Sequence, residues 1–96
     1  MDLVFKWDPR KDRANSEKHG IAFSEATSVF GDPLARIFAD EDHSTGERRE
    51  IIIGHSRAKR LLLVCFTELE EGQVRIIGAR RATRREQRDY EEHVTP

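Results

Sequence analysis

The chain reads as an α+β fold, a small antiparallel sheet packed with helices in the order βααββββα. Three observations predict it. First, three strand-like runs, Arg49–Arg57, Arg60–Glu68 and Gln73–Ala79, follow one another through links short enough for hairpins, Arg57-Ala58-Lys59 and Glu68–Gly72. Second, the segment before them carries helix starts and stops rather than strand alternation. Third, Thr83-Arg84-Arg85-Glu86 is a capping box that opens a final helix. Hairpin-linked strands with helices before and after them, not between them, favour α+β over a parallel βαβ architecture.

Each element has its own warrant. Leu3–Trp7 is a short apolar-rich strand. Asp8-Pro9 starts a helix, because Asp caps the first free amides and Pro needs no donor in the first turn. Gly20 ends it as a left-handed cap. Its interior is almost wholly polar, so it should lie on the surface, anchored by Ala14 and its ends. Ser24 begins a second helix with Glu25 in its first turn, and Ile21, Phe23, Ala26, Val29 and Phe30 give it an apolar stripe up to Gly31-Asp32-Pro33. Ala35–Ala39 is a weak strand, followed by an acidic loop, Asp40–Gly46. Arg49–Arg57 alternates in its outer parts. Arg60–Glu68 is apolar on both faces, so it should be central and covered on both sides.

Length and composition exclude several classes. Ninety-six residues make one domain, 1–96, which buries about 60–65% of its unfolded surface. The hydrophobic and charged fractions are both 36%, with the apolar residues clustered in runs as a globular chain requires. One cysteine, Cys65, permits no internal disulfide, which fits a reducing cytoplasm, and it sits mid-strand as a small core residue. The longest apolar run, Leu61–Phe66, is far too short to span a bilayer, and the N-terminus lacks a signal peptide's apolar stretch, so no membrane role is expected. The four histidines form no metal-ligand pattern, and no glycine-rich nucleotide motif is present, so no metal and no cofactor are expected.

The net charge of −1 predicts no polyanionic partner, but its distribution does. Between Gln73 and Tyr90 the arginines Arg75, Arg80, Arg81, Arg84, Arg85 and Arg88 face only Glu86 and Asp89. Guanidinium groups bind phosphate oxygens in pairs and release counterions on doing so, which suits RNA or DNA. Charge-rich helices are equally often solvated faces held by ordinary surface pairs. If neighbouring strands pair, Arg49, Arg60, Arg75 and Arg80 converge on one surface as phosphate and transition-state ligands. Cleavage through the ribose 2′-hydroxyl needs a proton acceptor, stabilisation of the phosphorane and a proton donor. Glu47 is the candidate base, with His55 and Tyr90 behind it. Trp7, Lys18, His19, Arg81, Arg84 and Tyr90 are candidate RNA contacts, although helix capping and packing explain Trp7, Lys18 and His19 as well, and packing against the sheet explains Tyr90.

The segments FKWDPRKDRANSEKHGIAFSEATSVFGD, GERREIIIGHS, RLLLVCFTE and VRIIGARRATRREQRDYEE, in this order, cover nearly the whole chain. In them the chain resembles the BrnT family, the toxin half of a bacterial type II toxin–antitoxin pair. Gly78 departs from the serine expected before Ala79-Arg80, a mild change that either loosens the strand end near Arg80 or admits a phosphate more closely. The resemblance implies a RelE-like fold, a metal-independent endoribonuclease that halts translation, and a BrnA-like ribbon-helix-helix antitoxin. It also implies operator DNA contacted only through that antitoxin, and leaves room for a dimer within the toxin–antitoxin complex. The competing reading is a non-catalytic module that uses the arginine-rich C-terminal helix to dock nucleic acid or protein.

Overall fold

The computed structural model describes residues 2–43 and 46–94. Its elements are β1 (Val4–Lys6), α1 (Pro9–His19), α2 (Phe23–Thr27), β2 (Arg36–Ala39), β3 (Glu50–His55), β4 (Leu61–Glu70), β5 (Gln73–Arg81) and α3 (Arg84–Val94). A 3₁₀ turn, Ser28–Gly31, extends α2, and another, Glu41–His43, follows β2. The expected order of elements is therefore observed. Ser44 and Thr45 of the expected acidic loop lie outside the described residues.

β2 to β5 form the expected antiparallel meander, and the strand order across the sheet is β1-β5-β4-β3-β2. The sheet is nonetheless mixed, because β1 runs parallel to β5. The cause is the helical layer. α1 and α2 carry the chain from one edge of the sheet to the other, so the meander returns and ends beside β1. β2 lies at the opposite edge, where Ile37 and Phe38 are about half exposed.

The local chemistry matches the sequence at the helix ends. Asp8 Oδ1 accepts the Arg10 N–H at 2.8 Å, and Gly20 closes α1 with φ 71°. Thr83 Oγ1 accepts the Glu86 N–H at 3.1 Å while Glu86 Oε1 accepts the Thr83 N–H at 2.8 Å, completing the capping box of α3. The β4–β5 link is tighter than expected, with β4 running to Glu70 and Gly72 turning at φ 81°.

The core lies between the helical layer and one sheet face. Ile21, Phe23, Ala26 and Val29 pack there on Ile52, Leu62, Val64, Phe66, Val74, Ile76 and Ala79. Phe30 bridges Phe5 and Phe66 at ring-centroid distances of 5.1 and 5.0 Å. Ala14 is exposed and anchors nothing. α1 is held instead by Asn15, whose amide bonds the backbone of Ala79 and the carbonyl of Ile21, and by Asp12, which accepts the Phe23 N–H. The other sheet face is only half covered. α3 lays Tyr90 on Ile53 and Leu63, and the rest of that face stays open. The expectation that β4 is covered on both sides holds for one end of the strand, because α3 spans only 11 residues and reaches no further.

Candidate functional site

The uncovered sheet face holds a trough of about 330 Å³. Asn15 and His19 of α1 line it at one side, followed by Gly78, Ala79 and Arg80 of β5 and by Leu63 and Cys65 of β4. Ile51 of β3, Arg49 just before it, and Asp40 and His43 after β2 complete the lining. Strand pairing explains the assembly: Cys65 lies opposite both Ile51 and Gly78, so all three share the floor. β5 and β3 flank β4 at one strand spacing each, so the charged walls stand about 10 Å apart. That width suits an extended single-stranded backbone.

Next to the trough, at the start of β3, Glu47 and the arginines form a cluster. Both carboxylate oxygens of Glu47 accept from Arg75 Nη2, at 2.7 and 2.6 Å, and Arg49 Nε lies 3.6 Å from Glu47 Oε1. Arg75 projects beside Thr67, whose hydroxyl donates to the Arg48 carbonyl at 2.7 Å. A carboxylate clamped this way orients guanidinium groups. Glu47 also stands outside the trough lining.

Arg80 leaves the end of β5 and meets α3. Its Nη1 and Nη2 donate to the two oxygens of Glu86 at 2.8 and 2.9 Å. This fork, helped by the Thr83 N–H, lowers the Glu86 carboxyl to about 2. Arg80 remains 42% exposed, enough to present its remaining donors to a ligand. Cys65, on the floor, is half-buried, and burial pushes its thiol up, so it is a poor nucleophile.

The structure brings together Glu47, Arg49 and Arg75, and gathers Arg49, Arg80 and His19 around one trough. It separates the other candidates from them. Arg60 precedes β4 at the opposite end of the sheet from Glu47. There Arg60 Nη2 and Nε are held by the buried Glu25, which also accepts from the Ser56 hydroxyl at 2.7 Å. Arg60 is thus a partner for a buried carboxylate, which its hydrogen bond holds below the usual range. Tyr90 is only 4% exposed, packed under α3, with its hydroxyl 3.4 Å from Asp32. Burial and Asp32 together raise its phenol. His55 sits beside it, rings 5.6 Å apart, with its N–H on Asp32 at 2.7 Å. Trp7 packs edge-on against Phe23 at 6.3 Å, on the helical side of the sheet, so it offers no stacking platform in the trough. Lys18, Arg81 and Arg84 are exposed and outside the trough lining. Asn15, Asp40 and His43 were not anticipated. The D-E-D-H run of the acidic loop contained the only signal for the last two, an acid three residues before a histidine.

A second hollow, about 370 Å³, lies between β2 and α3. Ile37, Phe38, Ile53, Leu63 and Tyr90 make it mostly apolar, and Arg36, Glu86, Asp89 and His93 complete its lining.

A mixed five-stranded sheet with one face closed by helices and the other half covered by α3 defines the class: a small α+β protein. Residues 7–86 match the family model for the ribonuclease toxin BrnT of type II toxin–antitoxin systems, and the chain belongs to that family. The fold is similar to the crystal structure of the Brucella abortus ribonuclease toxin BrnT, with a TM-score of 0.63 and 22% identity. That alignment covers 88% of this chain and 99% of the Brucella chain. No curated protein sequence matches the chain. Among the described residues, no helix is long and apolar enough to cross a membrane.

Proposed function

We propose that this chain is an endoribonuclease toxin that cleaves RNA in the open trough and so arrests translation and growth. A BrnA-like ribbon-helix-helix antitoxin neutralises it, contacts operator DNA on the pair's behalf, and permits a dimer within the toxin–antitoxin complex. The activity is cytoplasmic and needs no metal ion, because arginines supply the phosphorane's counter-charge and imidazoles are at hand for proton transfer.

The single observation that carries this reading is the convergence of Arg49 and Arg80 with His19 and His43 in one solvent-open trough, within a family of ribonuclease toxins. Arg49 and Arg80 hold the scissile phosphate. Glu47 positions Arg49 and Arg75 and is not the base. Arg75, Arg81, Arg84 and Lys18 extend the positive surface along the RNA, which gives a steep salt dependence. Neither Arg60 nor Tyr90 takes part in the chemistry.

The test is direct. Purified protein is incubated with mixed-sequence RNA in EDTA and in Mg²⁺, alone and in a translating extract, and fragments are mapped. Cleavage should persist in EDTA. Arg49→Ala and Arg80→Ala should each lower the rate on the order of 100-fold or more, since each removes donors aimed at developing charge. RNA that is bound but never cut, in either setting, would establish the non-catalytic docking module instead.

A further inference from the structure

We propose that Asp40 and His43 form the acid–base pair of the trough, with His43 Nε2 as the atom that takes the proton from the RNA 2′-hydroxyl. The proposal rests on the RNA-cleaving reading above and names the catalytic group that reading leaves open.

The geometry comes from the segment after β2. The Asp40 N–H donates to the Arg49 carbonyl at 2.9 Å, which pins this segment to the lead-in of β3. The 3₁₀ turn Glu41–His43 then folds the chain back, and the His43 N–H approaches the Asp40 carbonyl at 3.3 Å. As a result the His43 ring Nδ1 lies 3.1 Å from each Asp40 carboxylate oxygen. The Asp40 side chain is 13% exposed and His43 is 68% exposed. The carboxylate is thus shielded and the imidazole is presented. Both line the same trough as the two arginines.

This is the arrangement that proton transfer requires. A carboxylate on Nδ1–H fixes the tautomer, leaves the Nε2 lone pair outward, and stabilises the imidazolium when it forms. His43 faces Arg49 from the lead-in of β3, Cys65 from β4, Arg80 from β5 and His19 from α1, with Asp40 on its own segment. In the step, the 2′-oxygen bonds to phosphorus as its proton passes to His43 Nε2. Arg49 and Arg80 hold the phosphorane oxygens. The bond from phosphorus to the 5′-oxygen breaks, and that oxygen takes a proton from the His19 imidazolium across the trough. The products are a 2′,3′-cyclic phosphate and a 5′-hydroxyl, and solvent returns both imidazoles to their starting states. Asp40 acts through His43 and is a positioning residue.

The experiment compares wild type, His43→Ala and Asp40→Asn on mixed-sequence RNA, free and in a translating extract. End-group analysis, a pH–rate profile and thermal melting accompany it. His43 is a surface side chain, so melting should not change. His43→Ala should lose on the order of 100-fold or more in rate, keep its affinity for 2′-O-methyl RNA, and recover activity with added imidazole. The wild-type rate should rise with pH along a limb that vanishes in His43→Ala. Asp40→Asn should lower kcat with KM unchanged. If wild type cleaves and His43→Ala cleaves equally well, or if imidazole restores nothing, the pair is overturned and the RNA-cleaving reading stands. If wild type cleaves RNA in neither setting, both fall.

Discussion

Asn15 holds both backbone groups of Ala79: its Nδ2 donates to the Ala79 carbonyl at 2.8 Å, and its Oδ1 accepts the Ala79 N–H at 3.1 Å. One side chain of α1 therefore does what a neighbouring strand would do. β1 is only three residues long and pairs with β5 no further than Arg75. Beyond that point β5 would be a bare edge, with backbone donors and acceptors facing the helix unsatisfied. The Asn15 amide closes that edge and, with its further bond to the Ile21 carbonyl, fixes the end of α1 that carries His19 into the trough.

Asn15→Leu, of similar size but without the amide, should therefore destabilise the fold by about 2 kcal/mol, since it leaves half-buried backbone groups without partners. Urea denaturation measures this directly. An unchanged midpoint would mean that water replaces the amide at no cost. Asn15→Asp should fall between, because it keeps the acceptor and loses the donor.

Gly54 gives a second stability prediction. A Cβ placed there would lie 2.8 Å from Ala35 Cβ, 3.0 Å from Asp32 Oδ2 and 3.1 Å from Val29 Cγ1. The turn after α2 presses on β3 at this point, and no side chain fits. Gly54→Ala should cost about 2 kcal/mol through overpacking. Gly78 is the contrast, since a Cβ there meets only Asn15 Oδ1, at 3.8 Å. Gly78→Ser should fold normally and only raise the trough floor. Equal melting temperatures for Gly54→Ala and wild type would contradict the crowding.

The elements were legible because their signals are local. Asp8, Gly20, Thr83 and Glu86 act within one helical turn, and hairpin spacing shows in the chain itself. The parallel β1–β5 pair was not legible, because it depends on where the helical layer returns the chain. The same limit explains the site. Residue type and strand position are what propose Arg49 and Arg80 as phosphate ligands. Arg60 has the same type and a similar position, yet it is claimed by Glu25, 35 residues earlier. Sequence shows which arginines exist, and only tertiary pairing shows that Arg60 is held by the buried Glu25 at the far end of the sheet while Arg80 meets Glu86 and Arg49 meets Glu47 beside the trough. Asp40 and His43 carry no such signal, because neither sits in a strand and the 3₁₀ turn that follows Asp40 has no strong signature.

The Arg80–Glu86 fork predicts a pH dependence. The Glu86 carboxyl falls from its ordinary 4.5 to about 2, with Arg80 the first cause. A depressed carboxyl contributes stability that is fully present above the unfolded value and is lost as pH falls toward the folded one. The window is therefore about pH 4.5 down to 2. Arg80 is 42% exposed, so solvent screening reduces the contribution to the order of 1 kcal/mol. Glu86→Gln should lower stability at pH 7 and flatten the acid limb between those values. Chemical denaturation at pH 7, 4.5 and 3 checks it. A constant difference between wild type and Glu86→Gln at all three would remove Glu86 as the source.

Arg60 separates structural from catalytic arginine. Its partner Glu25 is 8% exposed and is satisfied by Arg60 and the Ser56 hydroxyl. Removing the cation strands a buried carboxylate, which is far costlier than removing an exposed pair. Arg60→Ala should therefore lower the melting temperature by several degrees. Double replacement with Glu25→Gln should recover part of the loss, because the uncompensated charge is then gone. The folded fraction of Arg60→Ala should still cleave RNA at the wild-type rate, since Arg60 lies at the far end of β3 and β4 from Glu47 and outside the trough. Arg49→Ala should show the reverse pattern, a large loss of rate with little change in melting. Cleavage per folded molecule, measured below both melting temperatures, distinguishes the two. If Arg60→Ala were inactive while fully folded, the catalytic surface would have to extend to the β3–β4 turn, and the trough alone would not be the site.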